Sequence, residues 1–180
     1  GGPTADWKPY AEYEKNHQKS AEQNNEGREL IVALPNAWGS LLAKPFLSSR
    51  VDSLARKLIG KDTDYQYAVH WNKGHTNLHA HIIFSERTRS PQNAEKWDRD
   101  IYLTADGKVA RRKADRAVDS HGNVKPPVHR KGELKDPDGA FSVKDKRYKS
   151  KDWLQGVKKA VEHIFALEGD KKHVTNYLHT

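Results

Sequence analysis

The sequence predicts an α+β fold, on three observations. Two runs of alternating residues, "DYQYAVHW" and "LHAHIIFSER", flank "NKGHTN", a connection with glycine at its centre, which is the pattern of a hairpin. A third run of β-formers, "RELIVALP", stands ahead of them and is stopped by Pro35. Helical spacings surround these strands, the clearest in "SKDWLQGVKKAVEHIFALEG".

In chain order, "DWKPYAEYEKNHQKSAEQNN" is expected to be helical after Pro9, with Tyr10, Tyr13 and His17 on one side. After the "RELIVALP" strand, "SLLAKPFLSSRVDSLARKLIG" carries apolar residues at helical spacing and ends at Gly60. Pro45 marks a break in it or a new first turn. Beyond the hairpin, "KWDRDIYLTADGKVARRK" holds an "ADGK" turn and reads as a small outlying hairpin. "ADRAVDSHGNVKPPVHRKGELKDPDG" is rich in proline, glycine and charge, so residues 105–140 are expected to form a basic loop within one domain spanning 1–180. The last helix has Ser150 as its N-cap, a stripe of Trp153, Leu154, Val157, Val161, Ile164 and Phe165, and Gly169 as its stop.

Composition narrows the function. With 32 Lys+Arg against 24 Asp+Glu the chain carries +8, a balance that favours polyanions such as nucleic acid. No cysteine is present, which excludes disulfides and thiolate metal sites and suits a reducing cytoplasm. No apolar run approaches the length of a membrane span, and no export signal stands out. The chain opens Gly-Gly-Pro and lacks methionine, which reads as a trimmed fragment with residues missing upstream.

"HWNKGHTNLHAHIIF" holds four histidines. Strand alternation puts Tyr67, Val69 and Trp71 on one face of the first hairpin strand and Gln66, Ala68 and His70 on the other. In the second strand Leu78, Ala80, Ile82 and Phe84 oppose His79, His81, Ile83 and Ser85. Both apolar sets reach a core only if His70, His79 and His81 share the other face, and closing the hairpin around "NKGHTN" sets His70 opposite His79. These three imidazoles are the candidate metal ligands, while His75 stays at the loop tip. Such a set leaves coordination positions for a phosphodiester oxygen or, with Zn²⁺, for an activated water.

"HAH" with a third histidine on the neighbouring strand resembles the histidine–hydrophobe–histidine (HUH) motif of rolling-circle nucleases. Together "RELIVALPN", "AVHW", "NLHAHIIFSER", "DGKVARRK", "VHRKGE" and "FSVKDKRYKSKDWL" resemble, in order and spacing, the MobA/MobL family of plasmid mobilisation relaxases. The resemblance implies a central antiparallel sheet flanked by helices, with the metal histidines on central strands. It implies strand-specific nicking and rejoining of single-stranded DNA at an origin of transfer, through a 5′-phosphotyrosyl link. His70, His79 and His81 match the family's metal triad, with Mg²⁺ or Mn²⁺ as the working ion. Relaxosome accessory proteins and a secretion coupling protein are the further partners implied, for a monomeric protein of the bacterial cytoplasm.

The family's nucleophilic tyrosine stands well before the "ALP" strand in a small-residue context that this sequence lacks, so it is expected upstream of Gly1. Tyr10 and Tyr13 read as packing residues. Tyr148, followed by Lys151 at the head of the last helix, is the alternative nucleophile if the chain is instead a rolling-circle replication initiator. Glu29, on a neighbouring strand, reads either as an exposed surface glutamate or as a carboxylate that orients an imidazole. Lys108, Arg111, Arg112, Lys113, Arg116, Lys125, Arg130 and Lys131 form a basic set for single-stranded DNA, with Trp97 or Tyr102 to stack on bases. The rival readings are a non-catalytic basic single-stranded DNA-binding module and a zinc-dependent hydrolase.

Overall fold

The computed structural model describes residues 6–17 and 25–167. Three strands, β1 (Arg28–Ala33), β2 (Thr63–Trp71) and β3 (Leu78–Thr88), form an antiparallel sheet in the order β1-β3-β2. Helices α1 (Lys8–His17), α2 (Asn36–Leu41), α3 (Lys44–Ile59) and α4 (Lys151–Leu167) complete an α+β unit. The chain divides into two compact units: residues up to Thr88 together with those from Lys144 onward, and the segment Arg89–Val143. Among the described residues, no helix is long and apolar enough to cross a membrane.

The pleat decides which side of the sheet is buried. Leu30 and Val32 of β1, Tyr65 and Tyr67 of β2, and Leu78, Ala80, Ile82 and Phe84 of β3 form one apolar face. Val51, Leu54, Ala55, Leu58 and Ile59 of α3 and Val157, Val161 and Phe165 of α4 close that core. Each fully buried aliphatic or aromatic side chain contributes about 1.5–3 kcal/mol. Truncation of central Phe84, which has no exposed surface, is the most damaging class of change, at about 3–5 kcal/mol.

Pro45 stands in the first turn of α3, where its missing N–H costs no intrahelical bond. The preceding run is a separate short helix, because Leu42 and Ala43 are extended. Gly60, at φ 107°, ends α3 in a conformation that side chains rarely adopt. Ser150 caps α4, its Oγ accepting the Trp153 N–H at 3.1 Å. The expected stop at Gly169 lies outside the described residues.

Among the described residues of this unit, the opposite face of the sheet is covered at one end only. There α1 buries Tyr10, Tyr13 and Glu14. Arg87 reaches across to Glu14 at 2.7 Å and lies 4.8 Å over the Tyr13 ring, and Tyr10 Oη donates to Asp64. Lys144 adds a second cation to Glu14 at 3.0 Å. Losing one partner of so buried a pair costs about 3–5 kcal/mol. Toward the hairpin turn this face opens, with Ala68 and His70 exposed and His79 and His81 half-buried.

In the segment Arg89–Val143 isolated bridges replace regular strands, joining Lys96 to Leu134, Ile101 to His129, Leu103 to Val109 and Val118 to Val124. The "ADGK" turn forms as expected: Thr104 N–H donates to the Lys108 carbonyl at 2.7 Å, and Gly107 takes φ 82°. The basic loop is therefore held by backbone hydrogen bonds, with one short 3₁₀ turn at Lys113–Asp115.

Candidate metal centre

The hairpin register is the one that alternation requires. His70 pairs directly with His79, and Ala68 pairs with His81, so the three imidazoles stand on one face in adjacent rows. Ring centroids are 4.3 Å apart for His70 and His79, 4.8 Å for His70 and His81, and 5.1 Å for His79 and His81. One nitrogen from each comes within 4.8 Å of the other two, the spacing of a site for a single ion. His79 and His81 lie on the central strand. His70 lies on β2, an outer strand of the three, rather than on a central one.

The turn makes this register rigid. Asn72 Oδ1 accepts the backbone N–H groups of Thr76 at 2.8 Å and Asn77 at 3.0 Å, and the Asn72 N–H reaches the Asn77 carbonyl at 3.0 Å. His75 takes φ 52° at the tip, and its ring lies 6.1 Å from that of Trp71, outside the three-histidine cluster.

Hydrogen bonds fix which ring nitrogens face outward. Glu29 Oε1 lies 2.6 Å from His81 Nδ1, and since a carboxylate accepts, this nitrogen carries the proton. His79 Nδ1 lies 3.2 Å from the Asn77 carbonyl and donates to it. Both rings are thus left with Nε2 as the lone-pair atom, the tautomer a metal ligand needs. Partial desolvation, with the neighbouring His79 and His81 rings, holds the His70 pKa below its ordinary value, so that ring also stays neutral more readily. Three imidazole nitrogens on a face that the described residues of this unit leave open fit a divalent ion and leave it further positions.

The alternative nucleophile is elsewhere. Tyr148 is buried in the core on the opposite face, its ring 4.9 Å from Phe84 and 5.1 Å from Trp153. Its hydroxyl donates to the Ile59 carbonyl at 2.7 Å and accepts from Arg147 at 2.8 Å. Tyr65 and Tyr67 turn to that same core, where they donate to Asp52 and to the Ser48 carbonyl. Tyr10 and Tyr13 pack under α1. Asp64, to which Tyr10 donates, is six residues from His70, or about 20 Å along the strand. Among the described residues of this unit, no tyrosine hydroxyl is presented at the histidines.

The basic set divides into committed and uncommitted cations. Lys108 pairs with Asp106 at 2.8 Å, Arg112 with Asp115 at 3.0 Å, and Arg116 covers the Tyr102 ring at 3.6 Å. Arg111, Lys113, Lys125, Arg130 and Lys131 are exposed and make no ion pair among the described residues. Trp97 stacks on His129 at 4.8 Å, with Lys135 Nζ 5.3 Å from its centroid, so its faces are engaged within this segment.

Sequence reasoning did not single out Trp7, Gln66 and Ile83, which border an open cleft on the histidine face beside Glu29. Period-two alternation places Gln66 and Ile83 on that face, but nothing in the sequence shows that α1 delivers Trp7 there. Compared with protein-family models, curated proteins and solved structures, the chain finds no match.

Proposed function

We propose that this chain is the nicking domain of a metal-dependent DNA relaxase of the HUH type, acting on single-stranded DNA at an origin of transfer. The observation that carries the reading is the convergence of His70, His79 and His81 on one open sheet face, with Glu29 orienting His81. A three-nitrogen donor set favours Mn²⁺ or Zn²⁺ over Mg²⁺, which prefers oxygen ligands. When bound, the ion supplies Lewis-acid polarisation of the scissile phosphate. The rigid hairpin holds the imidazoles at fixed spacing, so little reorganisation accompanies binding. Glu29 holds the His81 ring in its orientation. Arg111, Lys113, Lys125, Arg130 and Lys131 offer cations for backbone phosphates in the second unit. The nucleophile in this account is a tyrosine outside the described residues. Its ester with the 5′-phosphate preserves the bond energy for rejoining.

The test uses single-stranded DNA tiled across the genomic region that encodes the chain, incubated with Mn²⁺ and the full-length protein, which supplies the tyrosine this reading requires. The expected product is a covalent 5′ protein–DNA adduct with a free 3′-OH, lost in His79→Ala. Cleavage to free ends without an adduct identifies a zinc-type hydrolase. Salt-sensitive binding without cleavage or a metal requirement identifies a DNA-binding module.

A further inference from the structure

The histidine face carries a second recess beside the triad. It is an open cleft of about 410 Å³ bordered by Trp7, Glu26, Glu29, Gln66 and Ile83, within the size range of small-ligand sites. Its floor is the cross-strand pair Gln66 and Ile83, and the next pair on that face is Ala68 and His81. The two pairs are therefore two residues apart, or about 7 Å. Glu29 belongs to both places, lining the cleft and holding His81.

Trp7 is built into this wall. Its ring centroid lies 5.3 Å from that of Tyr10, whose hydroxyl is anchored on Asp64. Gly27 leaves room for it: a Cβ there would stand 3.4 Å from the Trp7 ring and 2.9 Å from the Phe84 carbonyl. A half-buried indole held in place offers a flat apolar surface whose ordering cost is already met. Ile83, 43% exposed, supplies the apolar floor. The rim is acidic, with Glu26 exposed and Glu29 half-buried. Arg28, the cation bordering the cleft, is paired with Glu86 at 2.6 Å.

Two carboxylates and, among the described residues that line it, no uncommitted cation make this a poor place for phosphate. An aromatic plate with carboxylate acceptors suits a planar base that presents an amino group. We infer that the cleft is a nucleobase subsite, in which Trp7 stacks on an amino-bearing base adjoining the phosphate held at the triad. This rests on the relaxase reading above and names a specificity-determining residue for it. Stacking on one aromatic side chain is worth about 1–3 kcal/mol per base, and carboxylates accept from the cytosine amino group that thymine lacks.

The experiment measures binding of fluorescein-labelled dC12 and dT12 by anisotropy, with and without Mn²⁺, alongside Mn²⁺ calorimetry. Wild type is expected to bind dC12 more tightly than dT12 by about fivefold, and more tightly with Mn²⁺ than without. Trp7→Ala is expected to weaken dC12 binding by about fivefold or more and to erase the preference, while Mn²⁺ binding persists. Ile83→Trp, which fills the cleft from an exposed position and leaves Trp7 in place, should give the same loss. If both variants bind dC12 as wild type does while Mn²⁺ still strengthens binding, the subsite is overturned and the relaxase reading stands. If wild type binds neither strand in an Mn²⁺-dependent way, the relaxase reading falls and the subsite with it.

Discussion

Glu29 Oε1 and His81 Nδ1 stand 2.6 Å apart, joining the first strand to the central one across the face that carries all three clustered histidines. The contact fixes the His81 tautomer and leaves Nε2 as the ring's lone-pair atom. Glu29→Gln keeps the shape and removes the charge, so it should weaken Mn²⁺ binding by about 10–100-fold with little effect on thermal unfolding. Calorimetry on the variant checks this. An unchanged affinity would reduce Glu29 to a surface carboxylate.

The lowered pKa of His70 has a definite sign for stability. Partial desolvation and the neighbouring imidazoles make the folded state bind this proton less readily than the unfolded chain does. The associated stability is therefore present above the ordinary imidazole value, about 6.5, and is lost as pH falls through the window just below it. The denaturant midpoint of metal-free protein should drop on acidification through that window, and His70→Gln should drop less. The slope is small, because His70 is exposed. A steeper acid loss in His70→Gln would contradict the assignment.

Tyr148→Phe separates the relaxase reading from the replication-initiator reading. The variant loses the hydroxyl that serves the Ile59 carbonyl and Arg147, at a cost of about 1–3 kcal/mol. In the full-length protein, Mn²⁺ affinity and adduct formation should both survive. A folded variant that binds Mn²⁺ yet forms no adduct would make Tyr148 the nucleophile.

Charge in the second unit is testable through salt. Replacing Arg111 and Lys113 by alanine should flatten the dependence of log Kd on log salt by about 0.7 for each DNA phosphate that the variant no longer neutralises. Arg112→Ala and Arg116→Ala should matter less, since Asp115 and Tyr102 already engage them. Equal effects at all four positions would show that the local pairs do not restrain these side chains.

The hairpin was legible because its alternation and turn leave one register that buries Leu78, Ala80, Ile82 and Phe84 together. That register alone set His70 against His79. Pro45, Gly60 and Ser150 likewise announced helix boundaries through their backbone chemistry. The covering of the far end of the histidine face was not legible: Glu14 and Arg87 are charged, and only their mutual pairing in three dimensions explains their burial. The segment Arg89–Val143 hid its organisation for a different reason. Single bridges and tight turns hold it, and neither leaves a period in the sequence.

The most direct test of the central claim is a Mn²⁺ titration by calorimetry on the wild-type chain and on His70→Ala, His75→Ala, His79→Ala and His81→Ala. One site is expected, retained in His75→Ala and lost in each of the other three. No discrete site in wild type, or a site that survives removal of His79, would contradict it.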